Sequence, residues 1–143
     1  MGSGWLTIRK GQNEMHAVCV VILDENDYQV EDAECSIEVL MESASGHFYD
    51  YYLFCWDSQR IGSPFDELGI TKENPVVPTS AMVEFMQRHS YAPLAVVTSW
   101  STYRAQVWNG FELVQTDNYF EKLIKELIEY GDGTVATVVD IHF

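Results

Sequence analysis

The chain has 143 residues and a formal net charge of −14, from 22 acids against 8 lysines and arginines. With 47% hydrophobic and 13% aromatic residues it does not read as an acidic disordered chain; it is expected to form a single globular domain over 1–143 that buries roughly two thirds of its unfolded surface. The negative charge argues against direct contact with DNA, RNA or anionic membranes, whose phosphates need lysine and arginine, and no apolar run approaches the ~20 residues of a membrane span.

In chain order, the first strand is expected over 5–9 and the second over 16–23, from their β-branched and aromatic content. No secretory leader is expected ahead of them. Met1-Gly2 is not a myristoylation start, because Leu6 stands where Ser or Thr is required. After the second strand, Asp24-Glu25-Asn26-Asp27 resembles the opening of a calcium loop. Tyr28, Gln29 and Cys35 then occupy the fifth, sixth and twelfth positions, where an oxygen ligand, glycine and glutamate are needed, so a solvated turn is expected.

The distribution of charge is the strongest signal. Between Lys10 and Arg60 there is no lysine or arginine, while acids recur throughout, most densely from Asp24 to Glu42. The stretch 31–42 fits two periods. As a strand it puts Cys35, Ile37, Val39 and Met41 on one face. As a helix it turns Ala33, Ile37, Leu40 and Met41 inward and aligns Glu31, Glu34, Glu38 and Glu42. The strand is the expected form, because hairpins suit the neighbouring segments.

A very aromatic strand follows over 48–56, with Phe48, Asp50, Tyr52, Phe54 and Trp56 on one face and Tyr49, Tyr51, Leu53 and Cys55 on the other. The stretch 57–78, with Gly62, Pro64, Gly69, Pro75 and Pro78, predicts a long connection with at most one helical turn near 65–68. A helix over 80–89 would be capped by Thr79 or Ser80 and bury Met82, Phe85, Met86 and His89. Strands follow over 94–100, 103–108 and 111–115, the last two joined at Asn109-Gly110 by a type I′ turn. In 118–131, Phe120, Leu123, Ile124, Leu127 and Ile128 form one helical stripe, with Asn118 as cap, Glu121 in the capping-box position and Gly131 as stop. A final strand over 134–142 is apolar on both faces and is expected at the sheet centre. Strands in runs with segregated helices predict an α+β fold: a mostly antiparallel sheet of about five to seven strands with two amphipathic helices packed on one face.

The sequence carries little sign of reaction chemistry. No CxxC, HxxxH or paired Cys/His spacing marks a zinc site, and His16, His47, His89 and His142 are isolated in sequence. No GxSxG, GxGxxG or P-loop is present. Cys55 with His89, or Cys19 with His16, has no supporting signature, and no catalytic residue, metal or cofactor is expected. Cys19, Cys35 and Cys55 are an odd, widely spaced set, expected as buried free thiols of a cytoplasmic protein.

What remains is acids mixed with aromatics. A single-sign patch raises the local potential and steers cationic partners. The expected function is an acidic protein-interaction module, an inhibitor or immunity-type protein that blocks the basic surface of a partner such as a nucleic-acid enzyme. In size, charge and aromatic content the chain is similar to small acidic nuclease inhibitors and phage-encoded inhibitors of host defence. The expected contact residues are Asp24, Glu25, Asp27, Glu31, Asp32, Glu34, Glu38 and Glu42, with Tyr49 and Tyr51 as aromatic anchors. Two alternatives stand beside it. One is a small enzyme or ligand-binding domain with a pocket near 57–78 that draws on Trp56, Arg60 and Trp100. The other is a homo-oligomeric structural subunit built by edge pairing of aromatic strands.

Overall fold

The computed structural model describes residues 6–8, 15–26, 28, 30–44, 48–58 and 65–143. Its elements, in chain order, are β1 (Leu6–Ile8), β2 (Met15–Asp24), α1 (Ala33–Ser43), β3 (Tyr51–Phe54), β4 (Val77–Pro78), α2 (Thr79–His89), β5 (Ala95–Val97), β6 (Thr102–Arg104), β7 (Gln106–Trp108), β8 (Leu113–Gln115), α3 (Tyr119–Tyr130) and β9 (Thr134–His142). Single 3-10 turns occur at Val30–Asp32 and Phe65–Leu68.

β2 and β9 are the spine of the sheet. They pair antiparallel from His16↔His142 to Asp24↔Thr134. Each spine strand shares its outer edge between two short strands. β1 and β5 lie along β2, and β3 and β4 along β9, with β6 beyond β5. Both faces of the spine are buried, as its two-sided apolar sequence predicts. One core holds Val18, Val20, Ile22, Ala136 and Val138 against Met82, Phe85 and Met86 of α2 and Leu123, Ile124 and Leu127 of α3. The opposite core holds Ala17, Cys19, Val21, Val139 and Ile141 against Ile37 and Met41 of α1.

The expected α+β class therefore holds, and three details of it are corrected. Among the described residues there are three helices, and they lie on both faces of the sheet. The sheet is mixed, because β2 and β5 run parallel. The first of these follows from a third: 33–43 is a helix, where a strand was expected. A strand there would have returned the chain as a hairpin. The helix instead carries the chain back over one face, so β3 starts in the same sense as β2 and leaves the slot between them for β9. The helical period wins because Ala33, Ile37 and Met41 at fourfold spacing all find core, whereas an extended chain would strand Leu40 among the glutamates. Glu34 and the preceding Glu31 and Asp32 also suit the positive end of the helix dipole.

Local expectations hold unevenly. β9 begins and ends as expected, and the turn at Phe65–Leu68 is present. The strand expected over 103–108 is broken at Ala105, whose N–H bonds Leu94 in the main sheet while its carbonyl accepts from Thr116 beside β8. β7 and β8 form a separate two-stranded sheet. Their Trp108↔Leu113 register makes the loop longer than a type I′ turn. The Asn109 carboxamide oxygen accepts the N–H groups of Phe111 and Glu112, and only Gly110 takes positive φ, at 103°. Neither α2 nor α3 has a side-chain cap: Pro78 and Asn118 hold the N-cap positions, and Thr79 is buried with its hydroxyl 2.6 Å from that of Thr134. Ile128, expected in the core stripe, is 63% exposed. Trp5, Arg9 and the glycine and proline of 59–64 lie outside the described residues.

Candidate functional site

Five acids of the first half gather on α1 and the turn before it. Glu34, Glu38 and Glu42, four residues apart, stack along one edge of the helix while Ala33, Ile37 and Met41 pack inward. Glu31 and Asp32, both exposed, extend the row from the preceding turn. No ion pair among the described residues involves an acid of this row. Lys72 joins Glu31, Asp32, Glu34, Glu38 and Trp56 in lining a groove of about 380 Å³. Val39 is 61% exposed on the same helix, so the surface is not purely charged.

Aromatic side chains from β3 and its flanks lie under the helix. The Trp56 indole N–H donates to Glu34 Oε2 at 3.2 Å, and the Tyr49 hydroxyl donates to the Met41 carbonyl at 2.8 Å. Tyr49, Tyr52 and Phe54 form a chain of edge-on ring contacts that ends with Phe54 stacked on Trp56. The negative field registers on the phenols. Burial raises the Tyr52 hydroxyl above its ordinary range, and Glu38, Glu42 and Glu34 push it further the same way. Tyr28 is raised by burial and then by Glu31, and Tyr49 by burial, with a smaller push from Glu42.

The remaining expected contact residues fall elsewhere. Asp24 is exposed at the end of β2, where its Oδ1 accepts the Asn26 N–H at 2.8 Å. Glu25 lines a separate groove between the ends of α2 and α3, with Val83, Leu127 and Ile128. Asp27 lies outside the described residues. Tyr49 is half-buried and tied to α1, whereas Tyr51 is 49% exposed on the edge strand β3 and stacks on His142, ring centroids 4.2 Å apart. Of the residues considered for a pocket near 57–78, Trp56 packs on the α1 face and Trp100 on the α2–α3 face, while Arg60 is outside the described residues. Cys35, expected as a buried thiol, is exposed on α1, because the helix turns it outward between Glu34 and Glu38; Cys19 and Cys55 are covered, and burial holds the Cys55 thiol up at about 11.

A second constellation escaped the sequence reading. His16 on β2 faces His142 on β9 as a direct cross-strand pair, and Asp140 precedes His142 by two residues on the same face. All three side chains are buried. His16 Nδ1 is 3.5 Å from Asp140 Oδ1, and His142 Nε2 is 3.3 Å from Asp140 Oδ2. The imidazole rings meet edge-on with centroids 3.9 Å apart, and the Ser58 hydroxyl donates to Asp140 Oδ2 at 2.7 Å. One potential ligand atom from each of the three residues lies within 4.8 Å of the others. The signal available in sequence was the Asp-x-His at the end of an otherwise apolar strand; nothing local pointed to His16.

A third polar network joins the strands to α3. The Trp100 indole N–H donates to the Tyr103 hydroxyl at 2.7 Å, which donates to Glu126 Oε1 at 2.6 Å. Burial first, and the bond to Glu126 second, push the Tyr103 phenol up to about 12. Among the described residues, no helix is long and apolar enough to cross a membrane. Comparison with protein-family models, characterised proteins and solved structures returned no match.

Proposed function

We propose that the protein is an acidic interaction module whose α1 surface covers a basic surface on a partner protein, the kind of surface a nucleic-acid enzyme uses to hold phosphates. The observation that carries the reading is the row Glu34, Glu38 and Glu42 on one helix edge, extended by Glu31 and Asp32 and paired with no cation among the described residues. Carboxylates four apart on a helix are separated by about 6 Å. Phosphates of one DNA strand advance 3.4 Å along the axis, so each glutamate stands in for about every second phosphate. The exposed Val39 supplies apolar contact within the charged row. A field of one sign raises the rate at which a cationic partner arrives and makes binding salt-sensitive. The reading places the chain in a reducing cytoplasm, where its three cysteines stay as thiols.

The test is capture of a partner from host extract at low salt, with elution along a salt gradient. The recovered protein should lose its own nucleic-acid binding when this chain is added. A variant carrying Glu34→Gln, Glu38→Gln and Glu42→Gln should associate with it at least tenfold more slowly. Unchanged association of that variant would sink the reading.

A further inference from the structure

We infer that His16, Asp140 and His142 form a binding site for one first-row transition-metal ion, with Ser58 as a positioning residue. Asp140 is the only fully buried carboxylate among the described residues, and the two histidines beside it are buried as deeply. A carboxylate withdrawn from water costs several kcal/mol unless a positive charge compensates it. A divalent cation held by the carboxylate and two neutral imidazoles supplies that charge.

The distances favour a shared ion over a simple ion pair. A charge-assisted N–H···O⁻ bond is usually about 2.7–2.9 Å long. Here the two nitrogen-to-oxygen separations are 3.5 Å and 3.3 Å. Two ligand bonds of about 2.1 Å opened to a tetrahedral angle place their donor atoms about 3.4 Å apart. Each histidine nitrogen thus stands from one Asp140 oxygen at the spacing of neighbouring ligands on one ion, and all three residues offer a donor atom within 4.8 Å of the others. Two imidazoles and one carboxylate suit zinc, cobalt or ferrous iron; calcium and magnesium require all-oxygen shells with more ligands.

The surroundings hold the ligands in place. His16 and His142 are fixed by the β2–β9 register, on the longest ladder of the sheet. Tyr51 stacks on the His142 ring at an interplanar angle of 19°. Ser58 fixes one carboxylate oxygen through its 2.7 Å hydrogen bond, the role that outer-sphere partners of metal ligands commonly play.

The experiment strips the full chain with a chelator, confirms by circular dichroism that it remains folded, and titrates it with Co²⁺ and then Zn²⁺. One equivalent of Co²⁺ should bind with the intense visible absorption of a four- or five-coordinate ion, and Zn²⁺ should displace it. His16→Gln and His142→Gln should each abolish that absorption, and Ser58→Ala should weaken uptake by about tenfold. Failure of the folded, stripped wild-type chain to develop the absorption overturns the inference without recourse to any variant. So does a weak octahedral spectrum that persists in both glutamine variants, because surface carboxylates would then be the ligands.

Discussion

One face of the β2–β9 ladder has two halves of opposite character. At one end the cross-strand pairs are Ile22 with Ala136 and Val20 with Val138, roofed by α2 and α3. Along the same face the next pairs are Val18 with Asp140 and His16 with His142. Backbone geometry is continuous across the change, and burial is equally complete on both sides of it. The alternation of a strand decides which side chains go inside; it does not decide what they do there. An apolar pair is stabilised by leaving water, whereas a polar pair in the same position persists only if its charges and hydrogen bonds are answered locally.

Cutting into each half separates these two sources of stability. Phe85→Ala removes a fully buried ring from the roofed half and should cost about 3–5 kcal/mol in urea unfolding. A loss below about 1 kcal/mol would mean that α2 is not anchored by that core. Asp140→Ala removes few atoms, yet should cost about 3 kcal/mol, since it takes away the carboxylate that Ser58 bonds and that stands beside two buried imidazoles. Val138→Ala, one step along the same strand face, should cost less, about 2 kcal/mol. If the order of those two reversed, the polar half would be ordinary core.

The smallest expected effect lies in the third network. Tyr103→Phe should cost about 1 kcal/mol, the usual net worth of a buried hydrogen bond. It should also change the alkaline limb of the stability curve. The folded chain holds the Tyr103 phenol up at about 12, against an ordinary value of 10.0. The unfolded chain therefore ionises first: the contribution is whole below pH 10 and is lost as pH climbs towards 12. Unfolding measured from pH 9 to 12 should decline less steeply in the phenylalanine variant; parallel curves would show that this phenol carries none of the dependence.

How far the sequence foretells these halves depends on the range of the interactions involved. β9 could be read because its two-sided apolar pattern is a local property. The core of α3 could be read from the spacing of Leu123, Ile124 and Leu127, although Ile128 turns to solvent where the α2–α3 groove opens. α1 was misjudged because alternation and helical period both fit its residues, and only the presence of core beneath Ala33, Ile37 and Met41 decides between them. The alignment of Glu34, Glu38 and Glu42 was legible once the helix was granted. The histidine–aspartate cluster was not, since it joins residues from opposite ends of the domain through a strand register that no local pattern records.

That same register sets a timetable. β2 is made well before its long partner β9, with α1, α2, α3 and six strands between them in the chain. Until β9 is made, the described neighbours of β2 are short, and the slot between β2 and β3 stands open with apolar side chains on both walls. Closing so wide a loop is entropically slow, and a half-made chain with an unfilled slot is open to pairing with a stray strand. The high negative charge sets such nascent chains repelling one another, a protection that acts during synthesis, before the sheet is complete.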